Sequence, residues 1–150
     1  MIESRRRERM VRHRLDSEAT LAGVAAGAVG NRATFGLGAA GQVVGEVLAA
    51  DSATVLVRTP QAELWLNLAA VEWVATESPV PAAGAPRPGE WAGVLDDLLH
   101  EGVEVRCRTR SGAVIDGWVT AVGEVVTFRD DRGTATYASP GNLALVSRRS

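Results

Sequence analysis

Apolar and polar residues alternate along much of this chain, and turn-forming residues interrupt the alternation at short intervals. The clearest case is residues 103–109, where Val103, Val105 and Cys107 fall on one side and Glu104, Arg106 and Arg108 on the other. A two-residue period of this kind marks a strand with one buried face. Further strands are expected at 114–122, 125–129, 134–138 and 143–147. Between them stand Arg110-Ser111-Gly112, Gly123, the hairpin signal Asp130-Asp131-Arg132-Gly133, and Ser139-Pro140-Gly141. These are residues whose backbone freedom or short polar side chains favour tight turns. Earlier in the chain the same pattern predicts strands at 33–37, 42–49, 54–58, 63–68 and 71–74. A helical period precedes each set of five. Leu21, Val24, Ala25, Ala28 and Val29 follow a cap at Ser17 or Asp16 and lead to an exit at Gly30-Asn31. Trp91, Val94, Leu95, Leu98 and Leu99 form one apolar face over residues 90–100, and Gly102 stops that helix.

The two sets correspond residue by residue. Gly45 falls on Gly117, Val47 on Val119, Arg58 on Arg129, Val71 on Leu143 and Val74 on Val146, at an offset of 72 that slips to 71 between the second and fourth strands. On that offset of 71, Leu66-Asn67-Leu68 stands where Tyr137-Ala138-Ser139 falls. A period of this length is too long for a solenoid repeat and suits a duplicated small domain. The organisation expected is an arginine-rich tail at 1–15, a helix-plus-barrel unit at 16–76, a Pro/Ala/Gly linker at 77–89 carrying Pro79, Pro81, Pro86 and Pro88, and a second unit at 90–150. The expected fold class is mainly β, with two tandem helix-plus-five-stranded small barrels. Each unit of about 60 residues is near the lower limit for folding alone, so the two should pack together.

Composition changes this picture little. With 46% hydrophobic and 23% charged residues the chain has the make-up of a soluble globular protein, and no apolar run is long enough for a membrane span. All sixteen positive charges are arginine, and the net charge of −2 speaks against a generally cationic nucleic-acid binder. The lone Cys107 excludes an internal disulfide and suits a reducing cytoplasm. Arg5, Arg6, Arg7 and Arg9 in the tail either lie on phosphates or form a solvated, locally ion-paired segment.

The second unit resembles the Sm-like family, which includes bacterial RNA chaperones. The residues that carry the resemblance are Ile115-Asp116-Gly117-Trp118-Val119, leading to a strand near Phe128, and Thr136–Val146 with its short strand, one-turn step and final strand. Tyr137 would stand on the tyrosine of the chaperones' tyrosine-lysine-histidine motif, while Ala138 and Ser139 replace its basic residues. An SH3-like barrel would share most of these features. What the resemblance implies is RNA or DNA association, and self-assembly in which the fourth strand of one unit pairs with the fifth of a neighbour. Here one such seam could form inside the chain and leave an outer edge at each end.

No catalytic constellation is expected. His13 and His100 lack a neighbouring nucleophile, and Cys107 alternates inward. Asp96-Asp97 and Asp130-Asp131 do not gather enough oxygen ligands for a metal. Gly36-Leu37-Gly38-Ala39-Ala40-Gly41 has dinucleotide-loop spacing but leads into a strand rather than a helix. No cofactor is expected. The candidate interface is Arg106, Arg108, Arg110, Trp118 and Tyr137: arginines on one strand face, with aromatics that could stack bases. The same residue types also anchor protein interfaces, and a solvated surface balanced by Glu104, Asp130 and Asp131 is the third possibility. The sequence therefore reads as a non-enzymatic, cytoplasmic binding protein without membrane contacts, forming homo-oligomers. Its role is either Sm-like nucleic-acid regulation or protein–protein scaffolding.

Overall fold

The alternating segments all form strands, and the turn residues sit between them. The computed structural model describes residues 20–81 and 85–149. Helix α1 (Leu21–Gly27) precedes β1 (Arg32–Gly36), β2 (Gln42–Ala50), β3 (Thr54–Arg58), β4 (Glu63–Asn67) and β5 (Trp73–Thr76). Helix α2 (Trp91–Glu101) precedes β6 (Glu104–Thr109), β7 (Val114–Val122), β8 (Val126–Arg129), β9 (Ala135–Ala138) and β10 (Leu143–Arg148). One-turn 3₁₀ helices lie at Gly38–Ala40, Leu68–Ala70 and Pro140–Asn142. Thr20 caps α1, its hydroxyl accepting from the Gly23 N–H at 3.0 Å. The caps expected at Asp16 and Ser17 lie outside the described residues, as does the tail with Arg5, Arg6, Arg7 and Arg9.

The expected pair of small barrels, Sm-like or SH3-like, is corrected by the strand order. All ten strands form one antiparallel sheet, β5-β1-β2-β3-β4-β10-β6-β7-β8-β9, and it is open: β5 and β9 each have a single partner. Alternation fixes which face of a strand is buried but is silent about its neighbour in the ladder. Within the first half, β4 and β5 do not pair with one another. Instead β4 pairs with β10, Leu66 opposite Leu145, Trp65 opposite Val146 and Leu64 opposite Ser147. That pairing fills an edge whose backbone N–H and C=O groups would otherwise need water, and it merges the halves.

The halves follow the same internal order and register. Gly36 faces Trp73 and Phe35 faces Val74 in the first, as Arg108 faces Leu145 and Cys107 faces Val146 in the second. Both long strands carry a register shift at matching places, between Val47 and Ala49 and between Val119 and Ala121. The register also corrects one correspondence. Trp65 faces Leu56 as Tyr137 faces Thr127, so Trp65 rather than Leu66 is the counterpart of Tyr137.

Two hydrophobic clusters flank the seam and share its strands. The first gathers Ala25 of α1 and Ala28 just after it with Phe35, Val47, Val55, Val57 and Leu66, and also takes Ala144 and Leu145 from β10. The second gathers Trp91, Leu95 and Leu98 of α2 with Val105, Val119, Val126, Phe128, Leu143 and Val146, and Trp65 of β4 packs against it. Strand β10 thus serves both cores, and the register shift between Leu143 and Leu145 lets Leu143 and Val146 join one core while Ala144 and Leu145 join the other. The C-terminal end of the linker is tied to the β2–β3 turn. The Ser52 N–H donates to the Arg87 carbonyl at 2.8 Å, and the Gly89 N–H donates to the Ser52 hydroxyl at 2.9 Å.

Candidate functional site

Four of the sequence-predicted interface residues share one face of the second half. Arg106 stands opposite Asp116 on β7, Trp118 lies two residues further along β7, and Arg129 stands opposite Trp118. Thr127, two residues from Arg129, stands opposite Tyr137. Arg108 shares the face with Arg106, by the two-residue period of β6. Arg110 lies past the end of β6, and its guanidinium lies 3.5 Å from the Gly141 carbonyl.

The electrostatics of this face are not those of an open cationic stripe. Arg106 binds Asp116 through two hydrogen bonds, Nε to Oδ1 at 2.7 Å and Nη2 to Oδ2 at 3.0 Å. Arg149 adds contacts to Glu104 at 3.1 Å and Asp116 at 3.8 Å. Arg108 Nη1 donates to the Ala40 carbonyl at 3.1 Å, tying β6 to the first half. Two arginines and two carboxylates therefore form a balanced cluster around Asp116. The sequence signal that could have revealed it is Asp116 itself, a carboxylate on the outer face between Val114 and Trp118.

Hydrogen bonding from Arg106 holds the Asp116 carboxyl below its usual pKa, and Arg148 does the same to Glu101. A lowered folded pKa contributes stability that is complete above the unfolded value, near pH 4, and is lost as pH falls through the folded value. The melting temperature of the native protein should therefore drop below about pH 4. Asp116→Asn should flatten that part of the profile, and the two curves should converge at the acid end. The effect should be modest, because both groups are largely exposed and screened. Calorimetric scans across pH check this.

At the seam, sequence reasoning missed a set of contacts between distant residues. Arg148 binds Glu101 through both carboxylate oxygens and lies 4.6 Å from the centre of the Trp65 ring, a cation–π distance. Asn67, only 3% exposed, donates from Nδ2 to the Leu143 carbonyl at 3.0 Å and accepts from the Ala69 N–H at 3.1 Å. A groove of about 550 Å³ opens beside these residues, between the starts of the two helices and the 3₁₀ turns at Leu68–Ala70 and Pro140–Asn142. Ala22, Ala53, Leu68, Trp91, Ala92 and Pro140 line much of it, and the Trp91 indole N–H donates to the Pro140 carbonyl at 3.0 Å. Among the described residues no arginine lines this groove.

Cys107 is fully buried, and desolvation pushes its thiol up to about 12. A thiolate is needed for nucleophilic attack, so Cys107 is poorly suited to covalent catalysis. Ellman's reagent at pH 8 should react with it at least about tenfold more slowly in the folded protein than in denaturant. His100 hydrogen-bonds the Asp96 carbonyl at 2.8 Å on the helix surface. Among the described residues no group of three or more His, Cys, Asp or Glu is placed to hold a metal ion. No helix among them is long and apolar enough to cross a membrane. No family model matches this chain, and no curated protein is significantly similar to it.

Proposed function

We propose that this protein is a non-enzymatic cytoplasmic binding protein that acts as a protein-assembly module, built on one open antiparallel sheet. The observation that carries this reading is the state of the sheet's two ends. Strands β5 and β9 each leave one edge unpaired, neither carries a charge, and each bears an exposed aromatic: Trp73 at 40% and Tyr137 at 67%. Uncharged open edges are templates for pairing with another chain. The engagement of Arg106 by Asp116 supports the same reading, since it offsets charge that a nucleic-acid role would use.

Kinship with Sm-like proteins and a tandem duplication belong to this proposal. They are supported by the matching register of the two halves and by the pairing of a fourth strand, β4, with a fifth, β10. A second reading, nucleic-acid association, is favoured by Trp118, Arg129 and Tyr137 sharing one face. One experiment separates the two. Protein purified at low salt should show the 280 nm-dominated absorbance of free protein. It should also leave the anisotropy of a labelled 20-nucleotide single-stranded RNA unchanged at 50 mM salt. Co-purified nucleic acid, or micromolar RNA affinity that falls steeply with salt, would favour the second reading.

A further inference from the structure

We propose that the groove between the two halves is the seat of the chain's own N-terminal segment, with Met10, Val11 and Leu15 on its apolar floor and Arg12 and Arg14 at its acidic end. This goes beyond the assembly reading above and stands without it.

The groove is a junction. Ala22, Ala53 and Leu68 come to it from the first half, and Trp91, Ala92 and Pro140 from the second. Its volume of about 550 Å³ lies within the range of pockets that enclose a ligand. The lining is mainly apolar, so an occupant must bring apolar groups of its own. Leu21, beside Ala22 at the start of α1, is 38% exposed and extends that apolar surface.

Reach and composition single out the occupant. The described chain begins at Thr20, two residues before Ala22 of the groove wall, and Thr20 is extended rather than helical. Leu15 can stand up to about 17 Å from Thr20, and Met10 up to about 34 Å, so residues 10–15 can reach the whole groove. Met10, Val11 and Leu15 are the three large apolar side chains of residues 3–19, and Arg12 and Arg14 stand among them.

Charge gives the orientation. The Ser52 hydroxyl accepts from the Gly89 N–H at 2.9 Å and donates to the Gly89 carbonyl at 3.3 Å. These bonds hold Asp51 so close to Gly89 that a Cβ there would run into its carboxylate, and Glu90 comes next in the chain. The Glu90 side chain makes no capping hydrogen bond to α2. Among the described residues no arginine lies within ion-pair distance of either carboxylate. Two uncompensated acids therefore stand at the end lined by Ser52 and Trp91, while Arg110 lies near Gly141 at the other. Residues 1–19 hold six arginines against four carboxylates, and the rest of the chain holds ten against fourteen. A cationic segment tethered beside an acidic rim meets it at high effective concentration.

Ala69 lines the groove and is exposed on a 3₁₀ turn, so Ala69→Cys reports occupancy without touching a core. In the full chain iodoacetamide should alkylate it about fivefold more slowly than in the same chain carrying Val11→Asp and Leu15→Asp, the protection given by a segment seated about four-fifths of the time. Thr136→Cys, exposed on β9, should react alike in both backgrounds. Glu90→Arg should remove much of the protection, and so should about 0.5 M salt. Dilution from about 200 to 2 µM should leave it unchanged, because the tether makes the encounter intramolecular. Equal alkylation with and without the apolar tail residues overturns the proposal. So does protection that vanishes on dilution, since the groove then holds the tail of a second copy. Protection that survives both Glu90→Arg and salt overturns the placement of Arg12 and Arg14.

Discussion

Gly117→Val is expected to lower the melting temperature by about 6–12 °C, from a loss of about 3 kcal/mol. Two effects add. Gly117 has φ +148°, a conformation that side-chain-bearing residues rarely adopt, and a Cβ placed there would sit 2.4 Å from the Arg129 carbonyl oxygen. That oxygen belongs to the neighbouring strand, so it cannot move without breaking the β7–β8 ladder where the sheet bends. Gly45 occupies the matching place on β2, with the Arg58 carbonyl oxygen 2.2 Å from its would-be Cβ, and Gly45→Val should cost a similar amount through crowding alone. Gly123→Ala is the control. No atom lies within 4 Å of its would-be Cβ, and the change should stay within about 0.5 kcal/mol of wild type. A Gly117→Val protein melting with the control would mean that the strands do not approach so closely there.

Leu66→Ala should cost about 3 kcal/mol and should destabilise both halves together. Leu66 is fully buried in the first cluster, directly opposite Leu145 of β10. The first cluster contains side chains of β10, and β10 also supplies Leu143 and Val146 to the second, so a cavity beside Leu66 loosens a strand that both cores need. Urea unfolding should remain a single transition shifted to lower denaturant. Tryptophan fluorescence reports Trp65, Trp73, Trp91 and Trp118, two in each half, and should coincide with circular dichroism. A variant in which the first half unfolds well before the second would show that the seam does not couple them.

The placement of strands and helices is legible in the sequence, because it depends on local periodicity. Residues 114–122 were expected as a strand and form β7 over the same span, and Gly102 ends α2 where its left-handed preference predicts. Partnership between strands is not legible, because alternation carries no address. The alternation within β4 does not say that its outer edge meets β10, some eighty positions later, rather than β5 a few residues on; only the family resemblance raises a seam inside the chain. The expectation of two tandem small barrels fails on this point, since all ten strands join one open sheet. The arginine stripe fails for a related reason. Arg106 and Arg108 do share a face, but the charge they present depends on Asp116, which only the β6–β7 register brings opposite Arg106. The Arg148–Trp65–Glu101 contact joins three elements and leaves no local trace.

The participation of β10 in the first core also sets an order in time. A chain emerging from the ribosome completes β4 some eighty residues before Leu145 exists to lie against Leu66. At ordinary synthesis rates that gap lasts roughly 4–16 s. Throughout it the first half lacks Ala144 and Leu145, and β4 stays open to any strand that passes, including the β4 of a neighbouring nascent chain. The first half is made first and finished last. Its exposure to misassembly is therefore governed by how quickly translation reaches β10.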